Sequence, residues 1–274
     1  MVTSHFSDAD FKRIGDLMYA AVGLSFNDSK KSLIQSRLTP RIQRLGLGGF
    51  SDYLALLESD EDATEFQMAV DLLTTNETYF FREPKHYELL EAELTSRRSQ
   101  APLSIWSAAC SFGDEAYSTA MLLSDLRTAG RIGPDWSILA TDISHRVLMS
   151  AKEAVFPNDR LRAVTPERLR RYCLKGDGPA EGQSMVTDTL RERVRFGQVN
   201  LCMDCSELGP FDVVFLRNVL IYFDAPTKRE VVDRVLATLR PGGLFFIGTA
   251  EGRVSCDTPL VPVQPGAFRK PALK

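Results

Sequence analysis

The chain has 274 residues, 44% hydrophobic and 25% charged, a composition that fits a folded globular protein and disfavours disordered, collagenous or coiled-coil readings. Thirty-three basic against 36 acidic residues leave a net charge of -3, which argues against a dedicated nucleic-acid binder, so any cationic surface must be local. The most apolar stretch, residues 211–223, is broken by Asp212, Arg217 and Asn218 and falls short of the roughly 20 clean residues that span a bilayer, so no membrane insertion is expected.

Read from the start, MVTSHFSDADFKR has no basic segment followed by an apolar core, so no secretory signal and a cytoplasmic location are expected. Residues 1–74 carry helical spacing, as at Phe11, Ile14, Leu17 and Met18, and read as a small helical domain. No acid lies between Asp28 and Asp52. Within that window Lys30, Arg37, Arg41 and Arg44 share a narrow arc at about 100° per residue, while Ile34, Leu38, Ile42 and Leu45 face elsewhere. The spacing predicts an amphipathic helix with a basic stripe, kinked or divided at Pro40. Taken alone, such a run is a solvated face.

Residues 75–100 connect this domain to the next, and NETYFFR at 76–82 reads by composition as an aromatic connector with a solvated Arg. From Leu103 short runs such as LSIWSA, WSILATD, FDVVFLRN and GLFFIGTA alternate with amphipathic helices, which predicts βα units around a largely parallel sheet over residues 101–274. Gly176, Gly178, Pro179 and Gly182, followed by short strands at 184–187 and 194–196, mark an insertion over about residues 176–197. The last helix is capped by Asp224, has Pro226 in its first turn, lines up Val231, Val235 and Leu239, and stops at Pro241-Gly242-Gly243 before a strand near Leu244. Cys202 and Cys205 have C-x-x-C spacing without a second pair or a histidine, so no metal is expected, and five scattered cysteines suit a reducing compartment.

In open α/β sheets ligands bind beyond the carboxyl ends of the strands. After the first strand, residues 107–113 are mostly small and let a ligand approach the backbone, but G-x-G-x-x-G is missing and Asp114 and Glu115 would repel a phosphate. Asp142 ends the second strand, where an acid commonly accepts hydrogen bonds from ribose hydroxyls; equally, Asp142 or Ser144 caps the helix from His145. Adenosine, a cation and no phosphate describe S-adenosylmethionine. Arg217 and Asn218 break an apolar run at the same edge, five residues before Tyr222. They either face the ligand, or Arg217 pairs with an acidic neighbour and Asn218 closes a turn.

These segments resemble the CheR family, S-adenosylmethionine-dependent protein-glutamate O-methyltransferases acting on bacterial chemoreceptors. The similar stretches are NETYFFRE (76–83), WSAACSFGDEAYS (106–118), ATDIS (140–144), RYCLKGDGPAEG (171–182) and FDVVFLRNVLIYFD (211–224), in family order over nearly the whole chain. The resemblance implies an α/β fold: a Rossmann-like class I methyltransferase sheet domain, a helical N-terminal domain for substrate recognition and a small antiparallel β-subdomain insertion. It implies S-adenosyl-L-methionine as cofactor, S-adenosyl-L-homocysteine as product, and cofactor contacts at Asn76, Thr78, Arg82, Glu115, Asp142, Asn200, Leu201, Arg217 and Asn218. Arg82 and Tyr222 match the catalytic positions beside the reacting methyl group. It also turns the stripe of Lys30, Arg37, Arg41 and Arg44 into an expected docking face for glutamate-rich chemoreceptor methylation helices, and likens the inserted subdomain to one through which some members dock a receptor's C-terminal pentapeptide by strand addition. The chain departs mildly from the family at Asp114, often Glu, and Cys110, often Ala or Ser. A small-molecule methyltransferase and a non-catalytic S-adenosylmethionine-sensing module are the alternatives, and a monomer is expected.

Overall fold

The computed structural model describes residues 6–59, 63–97, 99–252 and 255–272. The N-terminal part contains α1 (Asp8–Val22), α2 (Lys31–Arg44), α3 (Phe50–Glu58) and α4 (Ala63–Leu73). α1 opens in a capping box, with Asp10 N–H donating to Ser7 Oγ and Ser7 N–H donating back to the Asp10 carboxylate, and closes on Gly23 at φ 72°. Spacings of three and four put Ile14, Met18 and Val22 of α1 against Ile34, Leu38 and Ile42 of α2, and Phe50, Tyr53, Leu54, Ala69, Val70 and Leu73 complete this core. Pro40 stays inside α2 and does not divide it. Pro40 and Ser36, whose carbonyl is left without a helical partner, are both exposed, so the lost bond falls where solvent can reach it.

α5 (Pro84–Arg97) leads into the sheet domain: β1 (Leu103–Ser107), α6 (Asp114–Thr128), β2 (Trp136–Asp142), α7 (His145–Glu153), β3 (Val155–Pro157), α8 (Pro166–Tyr172), β4 (Cys173–Lys175), β5 (Gln183–Val186), α9 (Asp188–Arg191), β6 (Val194–Gln198), β7 (Phe211–Leu216), α10 (Ala225–Ala237), β8 (Leu239–Ile247), β9 (Val261–Gln264) and β10 (Ala267–Arg269). The main sheet runs β6-β2-β1-β7-β8-β10-β9. Its first five strands are parallel, and β10 and β9 add an antiparallel margin. Strand residues alternate between two cores, Ile105, Val213, Phe215 and Phe246 on one face and Trp106, Val214, Leu216 and Phe245 on the other. Each such side chain contributes about 1.5–3 kcal/mol by leaving water. Strand order reverses at β1, which pairs with β2 on one side and β7 on the other, so the residues after these strands converge on one crevice.

Two boundaries differ from expectation. The small antiparallel sheet, ordered β3-β5-β4, begins at Val155 rather than within 176–197, and Val194–Gln198 belongs to the main sheet, paired in parallel with β2. Val194 and Phe196 have the alternation of any half-covered strand, and which sheet such a strand joins depends on a partner far away in sequence. The last helix ends at Ala237, and Pro241-Gly242-Gly243 lies within β8, where the register against β7 shifts. No helix among the described residues is long and apolar enough to cross a membrane.

Candidate functional site

At the carboxyl edge of β1, β2 and β7 residues of both domains line one cleft. Asn76, Thr78, Arg82, Glu115, Asp142, Asn200, Leu201, Arg217, Asn218 and Tyr222 all line it, together with Val22 and Leu24 from the helical domain and Ala108 and Ala109 after β1. Lys30, Arg37, Arg41 and Arg44 lie outside it. The loops around the cleft are strained: Phe81, Glu83, Ser111 and Asn218 have φ of 53°, 60°, 51° and 58°. Left-handed backbone at such residues costs on the order of 1–3 kcal/mol each and persists where neighbours over-determine it.

Two carboxylates form the floor. Asp142 accepts from Ser111 N–H at 2.8 Å through one oxygen and from Ser144 N–H at 3.0 Å through the other. Ser144, not Asp142, caps α7, its Oγ receiving Val147 N–H. Each Asp142 oxygen therefore keeps a lone pair for a further donor. Glu115 accepts from Ser107 Oγ at 2.6 Å and from Arg217 Nη1 at 3.0 Å. Burial raises the pKa of both acids, a shift that a bound cation would reverse. Asp114 does not share this role. It is fully buried, turns away from the cleft and pairs with Arg160, and burial pushes its carboxyl up to about 6 against the pull of that guanidinium.

Arg217 and Asn218 line the cleft and also make the contacts of the second reading, a pairing with an acid and the closing of a turn. The Arg217 guanidinium, 5% exposed, donates to Glu115, to the carbonyl oxygen of Arg82 and to Glu83 (3.3 Å). It thus pins the turn that presents Arg82. The same Glu83 carboxylate accepts from Thr249 N–H and meets His86, whose pKa is lowered by burial and by Arg217. Asn218 closes a left-handed turn held by Glu251, which accepts backbone N–H groups from Asn218 at 2.9 Å, Leu220 at 2.8 Å and Gly248 at 2.6 Å. A Cβ at Gly248 would come 2.5 Å from Asn218 Nδ2, so a larger residue there displaces that side chain. Asn200 presents little free amide to the cleft: Nδ2 donates to Ala21 O at 2.7 Å and Oδ1 accepts from Cys202 N–H at 3.0 Å.

Arg82 and Tyr222 also line the cleft. The Arg82 guanidinium donates to Glu77 O at 3.0 Å and lies 5.8 Å from the centroid of the half-exposed Tyr79 ring. No carboxylate among the described residues pairs with it, so most of its N–H donors remain available. Tyr222 donates to Thr75 O at 3.2 Å, and burial raises its pKa.

The basic stripe is corrected by what surrounds it. Arg37 donates through Nη1 to the carbonyls of Leu72, Leu73 and Thr74, closing the end of α4, and through Nη2 to Thr75 Oγ1. Arg41 makes a bidentate pair with Glu65, which also accepts from Tyr53 at 2.8 Å. Only Lys30 and Arg44 of the four are exposed. The periodicity was sufficient to place all four on one arc, but half of that arc abuts α4 rather than solvent. The roles of Thr75, Glu83 and Glu251 had no sequence signal beyond a polar residue near the end of a helix or strand.

Comparison with known proteins agrees with this architecture. Residues 9–74 match the family model described as the CheR methyltransferase all-alpha domain, and residues 76–260 match that of the CheR methyltransferase SAM binding domain. The chain is 41% identical over 246 residues to a chemotaxis protein methyltransferase of Escherichia coli, covering 89% of this chain and 85% of that one. It is 42% identical over 253 residues to chemotaxis protein methyltransferase 2 of Pseudomonas aeruginosa, covering 91% and 89%.

Proposed function

The chain belongs to the CheR methyltransferase family, and on that premise we propose that it esterifies glutamate side chains of bacterial chemoreceptors with methyl groups taken from S-adenosylmethionine. Its place in chemotaxis and its use of S-adenosylmethionine follow from the family; the glutamate acceptor and the residue roles are our reading. The observation that carries it is one cleft lined by the carboxylates of buried Asp142 and largely buried Glu115 and by a guanidinium that no acid among the described residues pairs with.

The residues fit an adenosyl sulfonium without phosphate. Asp142 keeps lone pairs for ribose hydroxyls, Glu115 brings negative charge to a cation, and no glycine is among the described residues that line the cleft. When bound, S-adenosylmethionine supplies a methyl group already activated by the positive sulfur. A glutamate carboxylate is a nucleophile at neutral pH, so no strong base is needed. What remains for this chain is alignment and exclusion of water. Arg82 holds one carboxylate oxygen by charge-assisted hydrogen bonds and leaves the other to attack in line. Tyr222, protonated at neutral pH, fixes the opposite wall through Thr75. Alignment of two bound reactants can remove about 7–11 kcal/mol of barrier and needs no covalent participation by the protein.

Incubation with methyl-labelled S-adenosylmethionine and a chemoreceptor cytoplasmic fragment tests the acceptor. Base-labile label on glutamate is expected. Label that survives mild base, or that appears only on small molecules, would refute it.

A further inference from the structure

The turn that carries Asp142 is gripped from outside its own strand and helix. Ile143, the next residue and part of the cleft wall, has a carbonyl oxygen that accepts from Gln67 Nε2 at 3.0 Å and from Gln198 Nε2 at 2.9 Å. The two amides are joined as well, Gln198 Nε2 donating to Gln67 Oε1 at 2.6 Å. Gln67 uses its second N–H on Asp71 Oδ1 at 3.0 Å, and Asp71 Oδ2 accepts Arg146 N–H, in the first turn of α7, at 3.1 Å.

Gln67 and Asp71 sit one turn apart on α4, in the helical domain; Ile143 and Arg146 belong to the sheet domain, and Gln198 ends its edge strand. Asp71 is 5% exposed, and its charge rests on the amide end of α7, where the helix dipole favours an anion. The far end of α4 is fixed in turn by Arg37 on its last carbonyls. Asp142 lies between these anchors, its own carboxylate already set by Ser111 and Ser144. Gln67, Asp71 and Gln198 are not among the described residues that line the cleft, whereas Ile143, which both glutamines hold, is.

The structure assigns Gln67, Asp71 and Gln198 as positioning residues that set Asp142 against the cofactor's ribose from across the domain boundary. This rests on the reading of Asp142 as the ribose acceptor. A carboxylate that must meet two hydroxyls at hydrogen-bond distance tolerates little displacement, so loosening Ile143 or Arg146 weakens cofactor binding without removing any ligand contact.

Calorimetry with S-adenosylhomocysteine on the full chain reads this. Gln67→Ala and Asp71→Ala are each expected to weaken binding about 5- to 30-fold, the worth of one or two hydrogen bonds, and to raise the KM for S-adenosylmethionine more than they lower kcat. Asp71→Asn keeps an oxygen for Arg146 N–H and should recover most of the affinity. Affinities within two-fold of the parent in both alanine variants, even with a lowered melting temperature, overturn the assignment, because the network would then only hold the domains together. Should Asp71→Ala fail to fold, Gln67→Ala with Gln198→Ala decides by the same criterion. Asp142→Ala is measured beside them. If it binds like the parent, the ribose reading has failed and the assignment falls with it; if it binds weakly while the others do not, only the positioning is wrong.

Discussion

Arg217→Met should cost about 3–5 kcal/mol of stability and abolish tight cofactor binding, although methionine fits an apolar site well. The guanidinium is buried between Glu115 and Glu83, and its removal leaves two carboxylates facing each other's charge without a counter-ion. It also releases the carbonyl of Arg82, whose turn is strained on either side by Phe81 and Glu83. Urea denaturation should show the loss, and the melting temperature should fall by roughly 6–15 °C for a chain of this size. Adding Glu115→Gln should restore part of the stability but not the binding, since the neutral amide relieves the repulsion and no longer attracts a cation. A single variant as stable as the parent would mean that the buried network is not a charge network at all.

Arg41→Glu is the second large effect, and it separates structure from docking along α2. Glu65 has a side chain only 2% exposed, and its partners include Arg41 and Tyr53. Placing a second carboxylate there should destabilise the helical domain by about 3 kcal/mol or more. Lys30→Glu and Arg44→Glu reverse charges on exposed side chains and should leave the melting temperature within a degree or two, because surface ion pairs contribute under about 1 kcal/mol. These two, and not Arg41→Glu, are the clean probes of receptor docking: a rise in receptor KM that shrinks with added salt is expected, with cofactor affinity unchanged. If neither substitution moves the receptor KM, the exposed part of the stripe is solvated surface.

The edge that holds the site was legible because parallel strands announce themselves as apolar runs and deliver whatever follows them to one crevice. Asp142 was placed there from its position at the end of a strand, and Arg217 and Asn218 from the interruption of an apolar run. Their tasks were not legible. Arg217 breaks its run to meet Glu115, 102 residues away in sequence, and a single chain carries no mark of that pairing. The same limit explains Asp114, which looked like a second acid in the cleft until Arg160 supplied its partner from the β3–α8 connection. Periodicity likewise placed Arg37 and Arg41 on one arc of α2 but could not say that α4 covers it. In each case the local residue pattern set position along an element, and a distant element decided what the side chain faces.

A structure of the chain with S-adenosylhomocysteine bound tests the assignment of the cleft most directly. The ribose hydroxyls should lie about 2.5–3.0 Å from the Asp142 oxygens, with the sulfur turned towards the Arg82 and Tyr222 wall and the amino acid portion near Glu115. Ribose bonded elsewhere, with Asp142 still making only its contacts to Ser111 and Ser144, would contradict the account.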